Sequence, residues 1–223
     1  MSLDLSALGA AEQAQLANLL AKLQPAAAES AVPAAKKRKK RRTQEIKYLT
    51  EAQVEAFFRV VTDPRDRAIF RLAYHRGLRA SEIGDLQLSD YLVRDDRLIV
   101  RRLKGSAGGE YHLTSNEVRA LKGYLKVRGS VPGPLFLSRV GRPISRQMLD
   151  VLVKRYGKLA GLPTDKRHMH VLKHSCATHL LNMGESLEDA RDHLGHRSIK
   201  STEVYAQYTS SRRQARDRRL RNW

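Results

Sequence analysis

The 223-residue sequence is poor in several features that mark other classes of protein. Its single cysteine, Cys176, excludes an internal disulfide and lies on a predicted apolar helix face, where a small core residue is expected. No apolar run approaches the ~20 residues that span a bilayer, and the N-terminus lacks a signal-peptide pattern. Internal repeats and a nucleotide-binding glycine loop are also missing. We therefore expect a cytoplasmic, nucleoid-associated protein with no membrane partner.

Acidic residues are scarce relative to basic ones. There are 42 Lys and Arg against 23 Asp and Glu, a formal net charge of +19, so nucleic acid is the expected partner. The alternative is a ribosomal or merely solubilising basic surface, but the charge concentrates in two tracts, residues 36–42 and 212–221. The residues expected to contact nucleic-acid phosphates are Lys36, Lys37, Arg38, Lys39, Lys40, Arg41, Arg42, Arg212 and Arg213. A solvated charge run or a localisation-type signal is the alternative for the first tract.

Composition divides the chain into four segments. Leucines at helical spacing predict an amphipathic helix in residues 1–24, which must dock elsewhere because it cannot bury its apolar stripe alone. Residues 25–44 indicate a linker followed by a basic arm. Residues 45–209 form the main domain, and residues 210–223 form a basic C-terminal tail.

Local signals in the main domain predict a mainly α fold with a small antiparallel β-sheet, an α+β domain. Capping boxes at Thr50 and Thr114 indicate two helix starts. The β-rich runs 97–103 and 110–113 flank a glycine-rich turn and predict a hairpin. A helix is expected from Ser145 to Ala160. Its predicted inner face consists of Met148, Val151, Leu152, Tyr156 and Leu159.

The stretch from His168 to Tyr208 holds six of the eight histidines. A helix over residues 170–181 would bring His170, Lys173 and His174 within one turn of each other. A second helix over residues 186–193 would be stopped by Gly195. Ser201 and Thr202 are candidate caps for a third short helix that carries Tyr205.

These side chains combine a phenol that could act as a nucleophile, imidazoles that could move protons, and lysines that could bind an anion. Tyrosine has a reference pKa of about 10, so its phenol attacks well only beside a base or beside cations that favour the phenolate. The surrounding histidines and lysines could supply both conditions.

Four motifs together resemble the tyrosine recombinases, the phage integrase family. They are His170-Val171-Leu172-Lys173-His174, then Leu194-Gly195-His196, then Tyr205 nine residues after His196, with Gly77-Leu78-Arg79-Ala80-Ser81-Glu82-Ile83 far upstream. The resemblance covers residues 45–209. One departure is serious, because Lys173 stands where the family has its second arginine.

The resemblance implies a role for each matching residue. Tyr205 would attack a phosphodiester of double-stranded DNA to leave a 3′-phosphotyrosine, with Arg79 on the scissile phosphate. His170 would take or share the tyrosine proton, and Lys104 on the hairpin would protonate the departing 5′ oxygen. Lys173 and His196 would offset charge on the phosphorane. Neither ATP nor a metal cofactor is expected, and the active form would be a homo-tetramer on DNA.

The same resemblance implies two differences from the family pattern. Family members carry a separate helical clamp domain before the catalytic one, whereas only residues 1–44 precede it here, so either the basic arm replaces part of the clamp or the chain is a shortened form. Lysine lacks the planar fork of arginine, so impaired strand cleavage with retained DNA binding is expected.

Three other functions stay open from the sequence. One is a catalytically silent, architectural DNA-binding relative, and another is an enzyme like the type IB topoisomerases. The third is a metal site, because His170 and His174 have the i, i+4 spacing of helical ligands. No glutamate follows His170 as a zinc protease requires, and no metal ligand is predicted. Tyr208 is the rival nucleophile to Tyr205.

Overall fold

The computed structural model describes residues 46–102 and 108–206, together with Ala11, Ala14, Gln15, Asp217, Arg218, Leu220 and Arg221. The chain divides into two compact units, Met1–Gln44 and Glu45–Trp223. The basic arm, the linker and nearly all of the predicted N-terminal helix and C-terminal tail lie outside the described residues. The fold below is that of the second unit.

Its first half consists of four helices and a small sheet. The helices are α1 (Glu51–Val60), α2 (Pro64–His75), α3 (Ala80–Asp85) and α4 (Ser115–Arg128). Thr50 and Thr114 form the predicted capping boxes at the starts of α1 and α4, and Asp63 caps α2. A 3₁₀ turn, Leu88–Asp90, follows α3 and leads into the first strand.

The sheet is a three-stranded antiparallel meander of β1 (Tyr91–Leu92), β2 (Arg97–Val100) and β3 (Gly109–His112). Its register pairs Leu98 with Tyr91 on one side and with Tyr111 on the other. The predicted antiparallel strand pair is therefore confirmed, with β2 shorter than the run 97–103 and β3 displaced by one residue from the run 110–113. β1 was not predicted, because two residues are too few to show a period-two pattern.

The second half contains α5 (Arg146–Leu159), α6 (Met169–Asn182), α7 (Leu187–Leu194) and α8 (Lys200–Ala206). The mainly helical fold with a small antiparallel sheet is thus as predicted. Helix α6 is buried on nearly every side, which makes it the central helix of this half. No helix in the part of the chain that the structure describes has the length and hydropathy needed to cross a bilayer.

The predicted inner face of α5 was partly wrong. Met148, Val151 and Leu159 are exposed at 39%, 57% and 64%. The buried residues of this helix are Leu149, Leu152, Val153, Tyr156 and Gly157. Two apolar stripes run side by side on α5, and the stripe through Leu149, Leu152, Val153 and Tyr156 has the i, i+3, i+4, i+7 spacing of a core face.

Most buried apolar residues belong to one core shared by helices α1 to α6 and the sheet. A second, smaller cluster lies between α6, α7 and α8. It consists of Cys176, Ala177, Leu181, Ala190, Leu194 and Tyr205. Cys176 is thus a buried core residue, as expected. The ring of Tyr205 belongs to an apolar cluster, so its hydroxyl is the only part of the side chain that needs a polar partner.

A buried ion pair joins α2 to α4. The guanidinium of Arg76 donates from Nε and Nη2 to the two carboxylate oxygens of Glu117, which is fully buried. The same carboxylate accepts the backbone N–H of Thr114 at 2.7 Å. Glu117 therefore both caps α4 and balances the charge of the buried Arg76.

We predict that Glu117→Ala lowers the free energy of unfolding by about 3–5 kcal/mol, because it leaves the Arg76 charge buried without its partner. The matched control is Glu110→Ala, which removes the partner of Arg97 in an ion pair that is about 40% exposed. Such exposed pairs contribute at most about 1 kcal/mol. Urea unfolding of both variants measures the difference, and equal losses would contradict this account of the Arg76–Glu117 pair.

Candidate active site

Arg79 is positioned by the turn that connects α2 to α3. Gly77 adopts φ +56°, and a Cβ at that position would lie 2.4 Å from the side chain of Leu194, so glycine suits both the backbone and the packing. Arg79 precedes α3, and its backbone N–H donates to Oε2 of Glu82 at 2.7 Å. Its Nη1 donates to the other oxygen at 2.8 Å, while about a third of the side chain is exposed. The guanidinium is held at one edge and is accessible at the other.

Lys173 projects from the middle of α6 and is buried, at 4% exposure. Its Nζ donates to the backbone carbonyls of Gly77 at 2.6 Å and Leu194 at 2.9 Å. These contacts connect α6 to the Arg79 turn and to the end of α7. Burial, with the nearby charge of Arg102, lowers the pKa of Lys173 to about 7.

The Tyr205 hydroxyl lies 2.8 Å from Nδ1 of His174, one turn of α6 away from His170. Burial lowers the pKa of His174 to about 4, so its imidazole is neutral at pH 7 and its Nδ1 can accept the phenolic proton. Burial also raises the pKa of Tyr205 to about 12, although the charge of Arg79 opposes that rise. In this arrangement the phenol is un-ionised.

His196 stands at the turn after α7, where Gly195 ends the helix in the left-handed conformation, as predicted. Its Nδ1 lies 3.0 Å from Oγ1 of Thr202, and its ring is stacked near the Tyr205 ring with centroids 6.5 Å apart. Burial lowers the pKa of His196 to about 3, and the charge of Lys173 adds to that effect.

The prediction that Ser201 and Thr202 cap the third helix was wrong. Helix α8 starts at Lys200, so both residues lie inside its first turn. Thr202 is fully buried and faces His196 instead. A hydroxyl residue near a helix start has two uses, capping or a tertiary contact, and the local sequence does not distinguish them.

His170 is the exposed histidine of the group. Partial desolvation lowers its pKa, and the neighbouring His168 and the cations Arg146, Lys173 and Arg79 add to that effect. Its ring lies 6.2 Å from the ring of His174, centroid to centroid. His170 is therefore a neutral imidazole at the accessible edge of the cluster.

The structure brings together five of the six predicted catalytic residues: Arg79, His170, Lys173, His196 and Tyr205. The sixth, Lys104, lies outside the described residues. So do the rival nucleophile Tyr208 and all nine residues predicted to contact DNA.

Two residues of the site have contacts that were not predicted from the sequence. His174 was recognised as part of the helical cluster, but its contact with the Tyr205 hydroxyl spans 31 residues and has no local signal. Arg102 comes from the end of β2 and is buried against the turn that carries His196. In the described ranges, no group of three His, Cys, Asp or Glu side chains is arranged to hold a metal ion.

Comparison with known proteins shows which family the chain resembles. The model of the phage integrase family matches residues 47–212. The type 1 fimbriae regulatory protein FimB of Escherichia coli strain K12 is 35% identical over 173 residues, which cover 74% of this chain and 86% of FimB. The tyrosine recombinase XerD of Xanthomonas campestris pv. campestris is 36% identical over 175 residues, which cover 71% of this chain and 54% of XerD.

A solved structure shares the fold. The XerH site-specific recombinase, in a post-cleavage complex with its palindromic difH substrate, aligns with a TM-score of 0.67 at 22% identity. The alignment covers 77% of this chain and 52% of the XerH chain. From the family match, the identity to FimB and this fold, the chain belongs to the phage integrase family and contains its tyrosine recombinase catalytic domain.

Proposed function

We propose that the protein is a site-specific DNA recombinase that cleaves and rejoins strands through a 3′-phosphotyrosyl intermediate. The observation that carries this proposal is the environment of Tyr205. Its hydroxyl lies 2.8 Å from the neutral His174, its ring lies beside His196, and the charge of Arg79 acts on it. A phenol, a proton acceptor and a partly exposed guanidinium in one place suit nucleophilic attack on a phosphodiester.

Cleavage would follow in one balanced step. The Tyr205 oxygen bonds to phosphorus in line while the bond from phosphorus to the 5′ oxygen breaks. The phenolic proton passes to a histidine, and the 5′ oxygen takes a proton from Lys104. The reverse attack by a 5′ hydroxyl of another strand restores the phosphodiester and frees Tyr205. The ester is never hydrolysed, so strand exchange needs no ATP.

Two histidines are candidate acceptors of the phenolic proton. The resemblance to the family gives that role to His170, which is accessible and has a lowered pKa. His174 is the group whose Nδ1 lies 2.8 Å from the hydroxyl. We propose that His174 holds Tyr205 un-ionised in the free protein and that His170 takes or shares the proton once the phosphate is bound.

Cations would stabilise the charge that develops on the phosphorane. Arg79 offers the free edge of its guanidinium, which suits two non-bridging oxygens. Lys173 adds positive charge as a single ammonium, and its Nζ already donates to two backbone carbonyls. Loss of one oriented donor costs on the order of 3 kcal/mol, about a hundredfold in rate. We propose that Lys173 attenuates cleavage for this reason.

Double-stranded DNA is the proposed substrate. The net charge of +19 favours it, and the XerH neighbour is a complex with its difH substrate. The basic residues 36–42, with Arg212 and Arg213, are proposed to bind the phosphate backbone. Exchange between two duplexes requires four strand cleavages, so we propose a homo-tetramer on DNA, in a nucleoid-associated, cytoplasmic setting.

The proposed nucleophile is tested by covalent trapping on a nicked suicide duplex made from the ends of the native element. The protein should form an adduct that survives a denaturing gel, and Tyr205→Phe should abolish it. Tyr208→Phe is the matched control and should keep it. Lys173→Arg should increase the initial rate of adduct formation by about a hundredfold, because it restores a forked donor.

Other outcomes of this experiment would contradict parts of the proposal. No adduct from the wild type or Lys173→Arg, with tight binding to the same duplex, would favour a silent architectural protein. An adduct accompanied by relaxation of supercoiled plasmid, without strand exchange, would favour a topoisomerase-like enzyme. A rate that Lys173→Arg does not raise would contradict the proposed attenuation.

Another prediction concerns the pH dependence of cleavage at subsaturating DNA, which reports on groups of the free protein. Lys173 carries its charge below a pKa of about 7 and loses it as the pH rises above that value. The wild-type rate constant should therefore fall about tenfold per pH unit from pH 7.5 to 9, as for loss of one essential proton. Lys173→Arg should stay flat over that range, because arginine remains charged. Parallel profiles would show that the charge on Lys173 does not limit cleavage.

A further inference from the structure

The end of α7 leaves carbonyl groups that need donors from outside the helix. The last four carbonyls of a helix have no intrahelical partner. Here the Gly195 and His196 N–H groups satisfy Asp192 and Arg191, at 3.0 and 2.9 Å. The carbonyls of His193 and Leu194, three and two residues before His196, still need hydrogen-bond donors.

Arg102 supplies one donor to each of these carbonyls, and the second donors are Lys173 to Leu194 and the Tyr111 hydroxyl to His193. The Arg102 side chain is fully buried. Nη1 donates to the Leu194 carbonyl and Nη2 donates to the His193 carbonyl at 3.0 Å. Nη2 also contacts the Tyr111 hydroxyl at 3.1 Å and the Arg76 carbonyl at 3.3 Å. A cation at the C-terminus of a helix is favoured by the helix dipole as well as by these hydrogen bonds.

The backbone of the turn lies directly against this guanidinium. A Cβ at Gly195 would lie 2.3 Å from Cδ, 2.4 Å from Nε and 2.7 Å from Cζ of Arg102. Glycine is therefore required by contact with Arg102 as well as by its φ of +60°. The side chain of Arg102 therefore packs directly against Gly195, and His196 is the next residue.

Arg102 also contacts the other parts of the site. Its Nη1 lies 3.7 Å from the carboxylate of Glu82, which holds Arg79. The Leu194 carbonyl that it contacts also accepts a hydrogen bond from Lys173. In sequence, Arg102 stands two residues before Lys104, the proposed general acid.

We infer that Arg102 is a positioning residue for strand cleavage: it fixes the turn at residues 193–196, and through it His196, against the Arg79 and Lys173 side of the site. The expected effect on cleavage rests on the proposed function. The claim that Arg102 fixes the turn at residues 193–196 does not depend on that function. Arg102 itself is buried and is not assigned a contact with DNA.

The test compares Arg102→Gln and Arg102→Lys with Arg97→Gln, which removes the same charge from the nearby strand β2 at a partly exposed ion pair. The first readout is the single-turnover rate of adduct formation at saturating DNA, with the dissociation constant measured separately. Arg102→Gln should slow cleavage by about a hundredfold through misplacement of His196, with DNA affinity within about threefold of wild type. Arg102→Lys should recover part of the rate, and Arg97→Gln should match wild type.

The second readout needs no DNA. The imidazole signal of His196, identified by its loss in His196→Gln, is followed by NMR from pH 7 to 5. In the wild type it should not titrate, since burial and then Lys173, Arg79, Arg102 and His174 lower the pKa of His196. In Arg102→Gln it should begin to titrate, because one cation is gone and the turn is less enclosed.

The outcomes separate this inference from the proposed function. Wild-type cleavage by Arg102→Gln, or an unchanged His196 titration, overturns the positioning role. If the wild type gives no Tyr205-dependent adduct while the His196 titration responds, the proposed function fails and the positioning role stands. Should Arg102→Gln not fold, Arg102→Lys carries the rate comparison against Arg97→Gln, since it retains the charge but lacks the planar fork of the guanidinium; a rate equal to that of Arg97→Gln would then overturn the positioning role.

Discussion

The carbonyl of Leu194 is the point on which the site depends. It accepts hydrogen bonds from both Lys173 and Arg102, two buried cations from different parts of the chain. Like charges so close together are unfavourable, and the carbonyls at the C-terminus of α7 help to make the arrangement tolerable. Three segments meet there: the Arg79 turn through Gly77, the centre of α6, and the end of β2. His196 lies two residues after Leu194.

Positive charge is in excess in this site. Glu82 is the carboxylate that contacts both Arg79 and Arg102, so the cations outnumber it within the described part of the site. Burial, and after it this excess of positive charge, lowers the pKa values of Lys173, His174 and His196. A DNA phosphate would balance part of this positive charge and favour the charged form of Lys173. On the Tyr205 phenol the same negative charge would add to the effect of burial, so attack needs a proton acceptor and the opposing charge of Arg79. This excess of positive charge is suited to the binding of an anion.

The sequence predicted what depends on local signals. Capping boxes located the starts of α1 and α4, Gly195 marked the end of α7, and the motifs identified the residues that converge around Tyr205. It did not predict contacts that depend on packing. The His174 contact spans 31 residues and the Arg102 contact spans 92, and a buried arginine looks the same in sequence as an exposed one. The inner face of α5 was misassigned for a related reason, because only packing decides between two adjoining apolar stripes.

The most direct test of the central claim is to locate the covalent bond by mass spectrometry. Trypsin cleavage after Lys200 and Arg212 gives a peptide of residues 201–212 that contains both Tyr205 and Tyr208, and fragmentation between them assigns the modified residue. The account predicts a nucleotide attached through its 3′ phosphate to Tyr205 in peptides from the trapped adduct. A nucleotide on Tyr208, or a 5′-phosphate linkage, would contradict it.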